Sequence, residues 1–314
     1  MVERRDFVRL AGGCAAHLGW CGAFGRRLAA QSMGAASRLV VAEEPWGRIE
    51  RIADGVWALI STPLTGGPTA RTTLSNGGIV AGTSGVAIVE GFASPDGARW
   101  MARQARRLTG RALTHVVVTH FHGDHTAGLP AYRDDGGDPQ FVTTSDTRGR
   151  LTAPDVVEAL RAAQLVDGSS PATVDLGGRR LTITPRSGHT TSDLSVVVDD
   201  PAVMFGGDLL WNRFFPNYVD AIPSLLSQAV RSLSADGNIV RVPGHGPIFE
   251  ANDLTHYIGV LDVIEEAARK ARAAGTPADE AATSIALPGA LGQWALFNPN
   301  YFAVALRAWE REAR

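Results

Sequence analysis

Between Thr119 and Gly128 the chain reads Thr119-His120-Phe121-His122-Gly123-Asp124-His125-Thr126-Ala127-Gly128, which crowds three imidazoles and a carboxylate into six residues. Imidazole and carboxylate are the borderline and hard ligands that suit zinc, and an incomplete protein shell leaves room for water. In an extended segment residues i and i+2 point to one side, so His120 and His122 can reach one ion together. Gly123 eases a tight turn, after which Asp124 and His125 are presented from the start of a helix. The chemistry such a cluster supplies is metal-assisted hydrolysis.

Three further residues stand where they can complete two sites. His189 lies in Ser187-Gly188-His189-Thr190, Asp208 in Gly206-Gly207-Asp208, and His245 in Pro243-Gly244-His245-Gly246. Each follows or precedes an apolar, strand-like run. Taken singly, a Gly-Asp pair is most often only a turn. Together they bring five of the eight histidines into strand-end loops, which packing does not explain. Of the others, His115 and His256 read as ordinary core or surface residues.

The elements that must position these residues follow from periodicity. Ile49–Ile52 and Val56–Ile60 flank the turn Asp54-Gly55, and Leu74–Ala81 pairs with Val86–Val89. Ser94–Leu108 reads as a helix with Pro95 early and Gly110 beyond its end. Leu113–Thr119 has the β-branched look of a fully buried strand leading into the histidine motif. Further on, Val174–Leu176, Leu181–Thr184, Leu194–Val198, Ala202–Phe205 and Ile239–Val242 read as strands. Pro154–Gln164, Ile222–Leu233, Leu254–Ala274 and Asn300–Glu312 read as helices. Strands that alternate with helices but join through many hairpins favour an α/β fold of two mixed sheets with helices outside. The expected organisation is a signal over residues 1–30, a linker over 31–45, a catalytic domain over 46–250 and a C-terminal helical extension over 251–314. Trp294, Phe297, Tyr301 and Trp309 are expected to pack that extension onto the sandwich. The segment Trp211, Asn212, Arg213, Phe214, Phe215 and Tyr218 reads either as a substrate cleft wall or as a patch supporting the C-terminal helices. The Gly/Pro-rich loop Thr65–Pro68 reads either as a flap over the site or as a plain turn.

Composition narrows the partners. A net charge of −2, with no basic stripe interleaved with aromatics, argues against nucleic acid and leaves a small-molecule substrate as the expected partner. The N-terminal Arg4-Arg5-Asp6-Phe7-Val8-Arg9-Leu10 resembles a twin-arginine export signal, followed by a Gly- and Ala-rich apolar stretch and small residues near Ala29-Ala30. That stretch is too short and too diluted to favour stable membrane insertion; an uncleaved anchor and a disordered tail are the competing readings. The expected destination is the periplasm or another exported compartment. Both cysteines, Cys14 and Cys21, fall inside this segment, so cleavage near residue 30 leaves a chain without thiols.

The motif series resembles that of the metallo-β-lactamase superfamily over roughly residues 48 to 250. The resemblance implies an αββα sandwich with two Zn2+ at one edge between the sheets, iron or manganese being the alternatives. It implies His120, His122 and His189 around the first ion, Asp124, His125 and His245 around the second, and Asp208 bridging both. A bridging hydroxide would be the nucleophile, with Asp124 as the catalytic residue that orients it as well as binding metal. An aspartate at position 208 looks more like the thioesterase, lactonase and phosphodiesterase branches, including hydroxyacylglutathione hydrolases, than like true β-lactamases, where a cysteine or serine resembles that position. The arrangement is also similar to exported zinc hydrolases linked to quinoprotein relay systems. The expected function is therefore cleavage of an ester, thioester, lactone or related bond. A mononuclear iron persulfide dioxygenase, a true β-lactamase and a non-catalytic binding protein are the alternatives. One departure stands out: Glu90 occupies a place where the family often has aspartate, so support of a ligand histidine is either made with a longer reach or absent.

Overall fold

The computed structural model describes residues 38–61, 71–234 and 239–314. The expected signal, including the twin-arginine segment and both cysteines, and the Thr65–Pro68 loop lie outside the described residues. Two sheets form the frame. The first holds β1 (Val40–Glu44), β2 (Gly47–Ala53), β3 (Val56–Ser61), β4 (Gly77–Ala81), β5 (Val86–Val89), β6 (His115–Val117), β7 (Gln140–Thr143) and β8 (Gln164–Leu165), in that spatial order. Its first five strands are antiparallel and β5 through β8 run parallel. The second sheet has the order β13-β12-β11-β10-β9, built from β9 (Ala172–Asp175), β10 (Arg180–Arg186), β11 (Asp193–Val198), β12 (Val203–Phe205) and β13 (Val240–Val242).

Side-chain alternation sorts these strands into layers. In β3, Val56, Ala58 and Ile60 face the space between the sheets, together with Val80, Val89, Val117, Ile183, Val196 and Phe205. The intervening Trp57 and Leu59 join Ile79, Ile88 and Val116 on the opposite face, against Trp100, Met101 and Ala105 of helix α1 (Pro95–Thr109). The outer face of the second sheet, through Met204, meets Leu226 and Val230 of α2 (Pro223–Ser234) and Tyr257, Val260 and Ile264 of α3 (Asp253–Ala274). Leu306 of the terminal helix α4 (Tyr301–Glu312) completes that layer. The result is the expected αββα sandwich with a helical C-terminal region. Trp294, Phe297, Tyr301 and Trp309 all pack into the outer layer, as the sequence indicated. Among the described residues no helix is long and apolar enough to cross a membrane.

Helix α1 carries its capping signals at both ends. The Ser94 side chain accepts from the Gly97 amide at 3.2 Å, Pro95 follows, and Gly110 ends the helix at φ 70° with its amide donating to the Arg106 carbonyl. Several segments differ from expectation, the unexpected strand β7 and the short helix Ser145–Arg150 among them. Val40–Glu44, inside the expected linker, pairs with β2 as an edge strand; its mostly exposed side chains carry no apolar alternation. The Pro154–Gln164 helix stops at Ala159, because Gln164–Leu165 leaves to pair with β7. The strand expected from Leu74 begins only at Gly77: Leu74 adopts φ 60°, and Ser75 and Asn76 turn their polar groups toward the loops described below.

The two sheets are in tight contact at Gly78, where an added Cβ would lie 2.2 Å from Cε1 of Phe205 and 2.7 Å from the Trp57 carbonyl oxygen. Gly78→Ala is expected to cost about 1–3 kcal/mol by over-packing, read as a lowered urea midpoint with an unchanged slope. An unchanged midpoint would mean that the sheets can separate freely at this point.

Candidate metal centre

Strand direction brings the site together. Strands β10 and β12 are each antiparallel to β11, and β13 is parallel to β12, so β10, β12 and β13 all end at one edge. The residues that follow them carry His189, Asp208 and His245. In the first sheet β5 and β6 are parallel, and their ends deliver Glu90 and His120. The chain after β6 enters a short helical turn, Gly123–Thr126, which carries Asp124 and His125. All seven residues singled out from sequence converge here. His120, His122, His189 and Asp208 form one group and Asp124, His125 and His245 another, the ligand-type atoms within each group lying within 4.8 Å of one another. Asp208 faces both: its Oδ2 is 3.3 Å from His189 Nε2 and 3.5 Å from His245 Nε2, and its Oδ1 is 3.2 Å from His125 Nε2. Asp124 Oδ2 is 3.2 Å from His245 Nε2 and 3.6 Å from His125 Nε2. Neither His115 nor His256 belongs to either group; His115 contacts its neighbour Thr114.

The donor set fits cations. His120 Nε2, His125 Nε2 and Asp208 Oδ1 are buried with no hydrogen-bond partner among the described residues. Buried polar atoms left in this way are costly, and a divalent ion satisfies several of them at once. The pattern of protonation without metal points the same way. Burial drives His120 well below the usual imidazole range, helped by the nearby His125, and drives His189 down to about 3. Burial opposes charge on His125 and His245 too, but the carboxylates outweigh it. Glu90, Asp208 and Asp124 hold His125 well above its ordinary value, and Asp208 with Asp124 lifts His245 to about 9. In turn, and against their own burial, Asp208 and Asp124 are held below the usual carboxylate range by these histidines.

The contacts around these residues resolve what the sequence left open. Glu90 is buried and accepts the Thr119 hydroxyl at 2.6 Å, while its Oε1 lies 3.1 Å from His125 Nδ1. Thr119 Oγ1 also lies 3.0 Å from His120 Nδ1, so the longer glutamate does reach the support role. Trp211, Asn212, Phe214, Phe215 and Tyr218 are all buried, and the apolar ones pack into the layer shared with the C-terminal helices, which favours the supporting reading of that segment. Trp211 does touch the site, stacking on His245 with ring centroids 4.3 Å apart. Sequence reasoning missed Asn76. Its amide nitrogen donates to the carbonyls of Pro243 (3.0 Å) and Gly246 (2.7 Å), and its backbone donates to Gly244, bracing the loop that carries His245. It also missed Ser75, which donates to the Asp124 carbonyl at 2.7 Å, and Asp220, whose Oδ2 sits 2.9 Å from His122 Nε2. None of these has a local motif to announce it.

A ligand imidazole must be neutral to bind metal. His245 is protonated below about 9 in the metal-free protein, so cation uptake at neutral pH displaces its proton. Zinc affinity is therefore expected to rise about tenfold per pH unit from 6 to 8 for each proton released. Calorimetric titration in buffers of different ionisation enthalpy reads the proton count, and a count of zero would contradict this electrostatic picture.

Residues 70–245 match the family described as Metallo-beta-lactamase superfamily. A hydroxyacylglutathione hydrolase from Rhodopseudomonas palustris (strain BisA53) is 28% identical over 201 residues, which are 64% of this chain and 72% of that protein. A Beta-lactamase-like protein 2 homolog from Caenorhabditis elegans is 27% identical over 146 residues, 45% of this chain and 45% of that one. Among solved structures, a metallo-beta-lactamase from Pontibacter korlensis superposes with a TM-score of 0.54 at 21% identity, covering 69% of this chain and 99% of its own; that likeness speaks to the fold. With the profile match spanning more than half of its length and the histidine–aspartate groups at the sheet edge, the chain belongs to the metallo-beta-lactamase superfamily.

Proposed function

We propose that this protein is a dinuclear zinc hydrolase that cleaves a small ester, thioester or lactone. The observation that carries the reading is the pair of adjacent ligand groups facing a single shared carboxylate, Asp208. His120, His122 and His189 would hold one ion, Asp124, His125 and His245 the other, with Asp208 between them. Two divalent ions so held would supply a water nucleophile at neutral pH and a Lewis acid for the attacked carbonyl. The residues do the rest. Asp124 is more exposed than Asp208 and is held ionised beside His245 and His125, so it can accept a hydrogen bond from the attacking water and orient it. Asp208 stays ionised in a dry setting. Burial of His120, His125, His189 and His245 fixes their rings before substrate arrives. The aspartate at 208, together with relatives named hydroxyacylglutathione hydrolase, supports a thioester or related acyl substrate over a β-lactam.

The test is metal analysis of the purified protein followed by thioester, lactone, β-lactam and phosphodiester panels. Two zinc ions per chain are expected, with hydrolysis lost on chelation and restored by zinc. One iron per chain, with oxygen consumed on a persulfide, would replace this reading with the dioxygenase one. Inactivity of the metal-replete protein on every panel would favour a binding protein. In the same assay Asp208→Asn is expected to lose an ion and on the order of 100-fold or more in turnover; full metal content with near-normal rate would refute the shared-carboxylate role. The arginine pair Arg4-Arg5 and its apolar sequel support export of the folded, metal-loaded chain. Intact mass of exported protein would show about 30 residues removed, and a full-length mass would refute cleavage.

A further inference from the structure

The outer contacts of the five imidazoles come from two different places. His120 and His125 are met from the first sheet, by Thr119 and Glu90. The other three are met from one loop, the stretch between Asp208 and α2. Trp211 stacks on His245 and donates its indole N–H to the Asp208 carbonyl at 2.7 Å. The Asn217 carbonyl lies 3.1 Å from His189 Nδ1, and Asp220 Oδ2 lies 2.9 Å from His122 Nε2. The loop then closes on the His189 turn, Ile222 donating its amide to the Gly188 carbonyl at 2.9 Å.

His122 differs from its neighbours in which nitrogen it offers. His120, His125, His189 and His245 all approach Asp208 with Nε2. His122 turns Nδ1 inward, 3.0 Å from His189 Nε2, and Nε2 outward to Asp220. An ionised carboxylate only accepts, so a neutral His122 in this contact carries its proton on Nε2 and presents a lone pair at Nδ1. Without the acceptor, the ring can exchange tautomers or rotate, because His122 is not buried as the others are.

What holds Asp220 in place is the far end of the chain. Arg311 of α4 donates through Nη2 to the carbonyls of Tyr218 (3.3 Å) and Val219 (2.9 Å), the two residues before Asp220. Its neighbour Glu312 accepts from the Ser224 amide at 3.0 Å and from the Ser224 hydroxyl, just beyond Asp220. The terminal helix therefore holds the chain on both sides of Asp220, at the end of the loop and at the first turn of α2.

Resting on the metal-binding reading above, we propose that Asp220 is a positioning residue for His122 and that Arg311 and Glu312 of the terminal helix hold it there, which makes the C-terminal helix part of the metal centre. The consequence is selective. Asp220 touches one ligand of one group, so its loss acts on the ion held by His120, His122 and His189 more than on the other.

The test is a stepwise zinc titration of the full chain against a chromophoric chelator, with the visible spectrum of the cobalt-substituted protein as a second readout. Asp220→Ala is expected to weaken one of the two binding steps about 10- to 100-fold and leave the other within a few-fold. Its cobalt bands are expected to shift. Asp220→Asn, which keeps an acceptor oxygen, is expected to recover part of the affinity, and Arg311→Gln to weaken the same step as Asp220→Ala. If wild type binds two ions and Asp220→Ala binds both as tightly with an unaltered cobalt spectrum, the positioning role is overturned. Equal weakening of both steps, together with a lower melting temperature of the metal-free protein, would overturn it as well, by showing a general structural role. Failure of wild type to bind any ion would instead fell the metal-binding reading itself, and this proposal with it.

Discussion

The structure is organised around carboxylates that cannot be buried alone. Asp208 lies almost wholly out of solvent, and an ionised carboxylate in such a place is tolerated only with positive charge beside it. Without metal, protons on His125 and His245 supply that charge. A bound cation would supply it instead, and the protons would leave. Protons and cations thus compete for one anionic pocket. The neighbouring His120 and His189, which burial keeps neutral, are already in the state that binds metal.

Such a pocket needs walls that stay dry and an edge where polar loops can meet. The sandwich provides both, because each sheet is apolar on its two faces and covered by helices outside. Polar side chains are thereby pushed to strand ends. Parallel neighbours then decide which end: β5 beside β6 in one sheet and β12 beside β13 in the other send successive loops to the same rim. Asn76 couples the rims of the two sheets, its side chain accepting from the Ser61 amide at 2.9 Å while donating to the His245 loop. The late start of the strand expected from Leu74 frees Ser75 and Asn76 for these contacts.

Residues that bind through their own type and spacing were legible in the sequence. The motif from His120 to His125 announces itself because its donors lie within a turn of one another. His189, Asp208 and His245 were found because each sits in a glycine-rich turn beside an apolar run. The layers were legible for the same reason, since periods of two and of 3.6 are local properties. Asp220 was not: it meets His122 across 98 positions, in a segment whose aromatic residues drew attention instead. Asn76 meets Pro243 across 167, with nothing in its neighbourhood to distinguish it from a turn residue. Edge strand β1 was missed because an exposed edge needs no apolar pattern. What the sequence hides is therefore the bracing of ligands rather than the ligands, since bracing depends on which loops the topology happens to bring together.

Glu90 shows how a strained backbone position can be held in place by its surroundings. Glu90 adopts φ 89°, a region that costs a residue with a side chain on the order of 1–3 kcal/mol. The surroundings hold it there. Its carbonyl accepts the Tyr132 hydroxyl at 2.8 Å, its amide donates to the Val117 carbonyl at 2.9 Å, and its carboxylate takes the Thr119 hydroxyl. Three hydrogen bonds of ordinary strength, each contributing about 1 kcal/mol net, are enough to offset strain of that size. The carboxylate is thereby held with Oε1 3.1 Å from His125 Nδ1, the strain being carried by the Glu90 backbone and offset by these contacts.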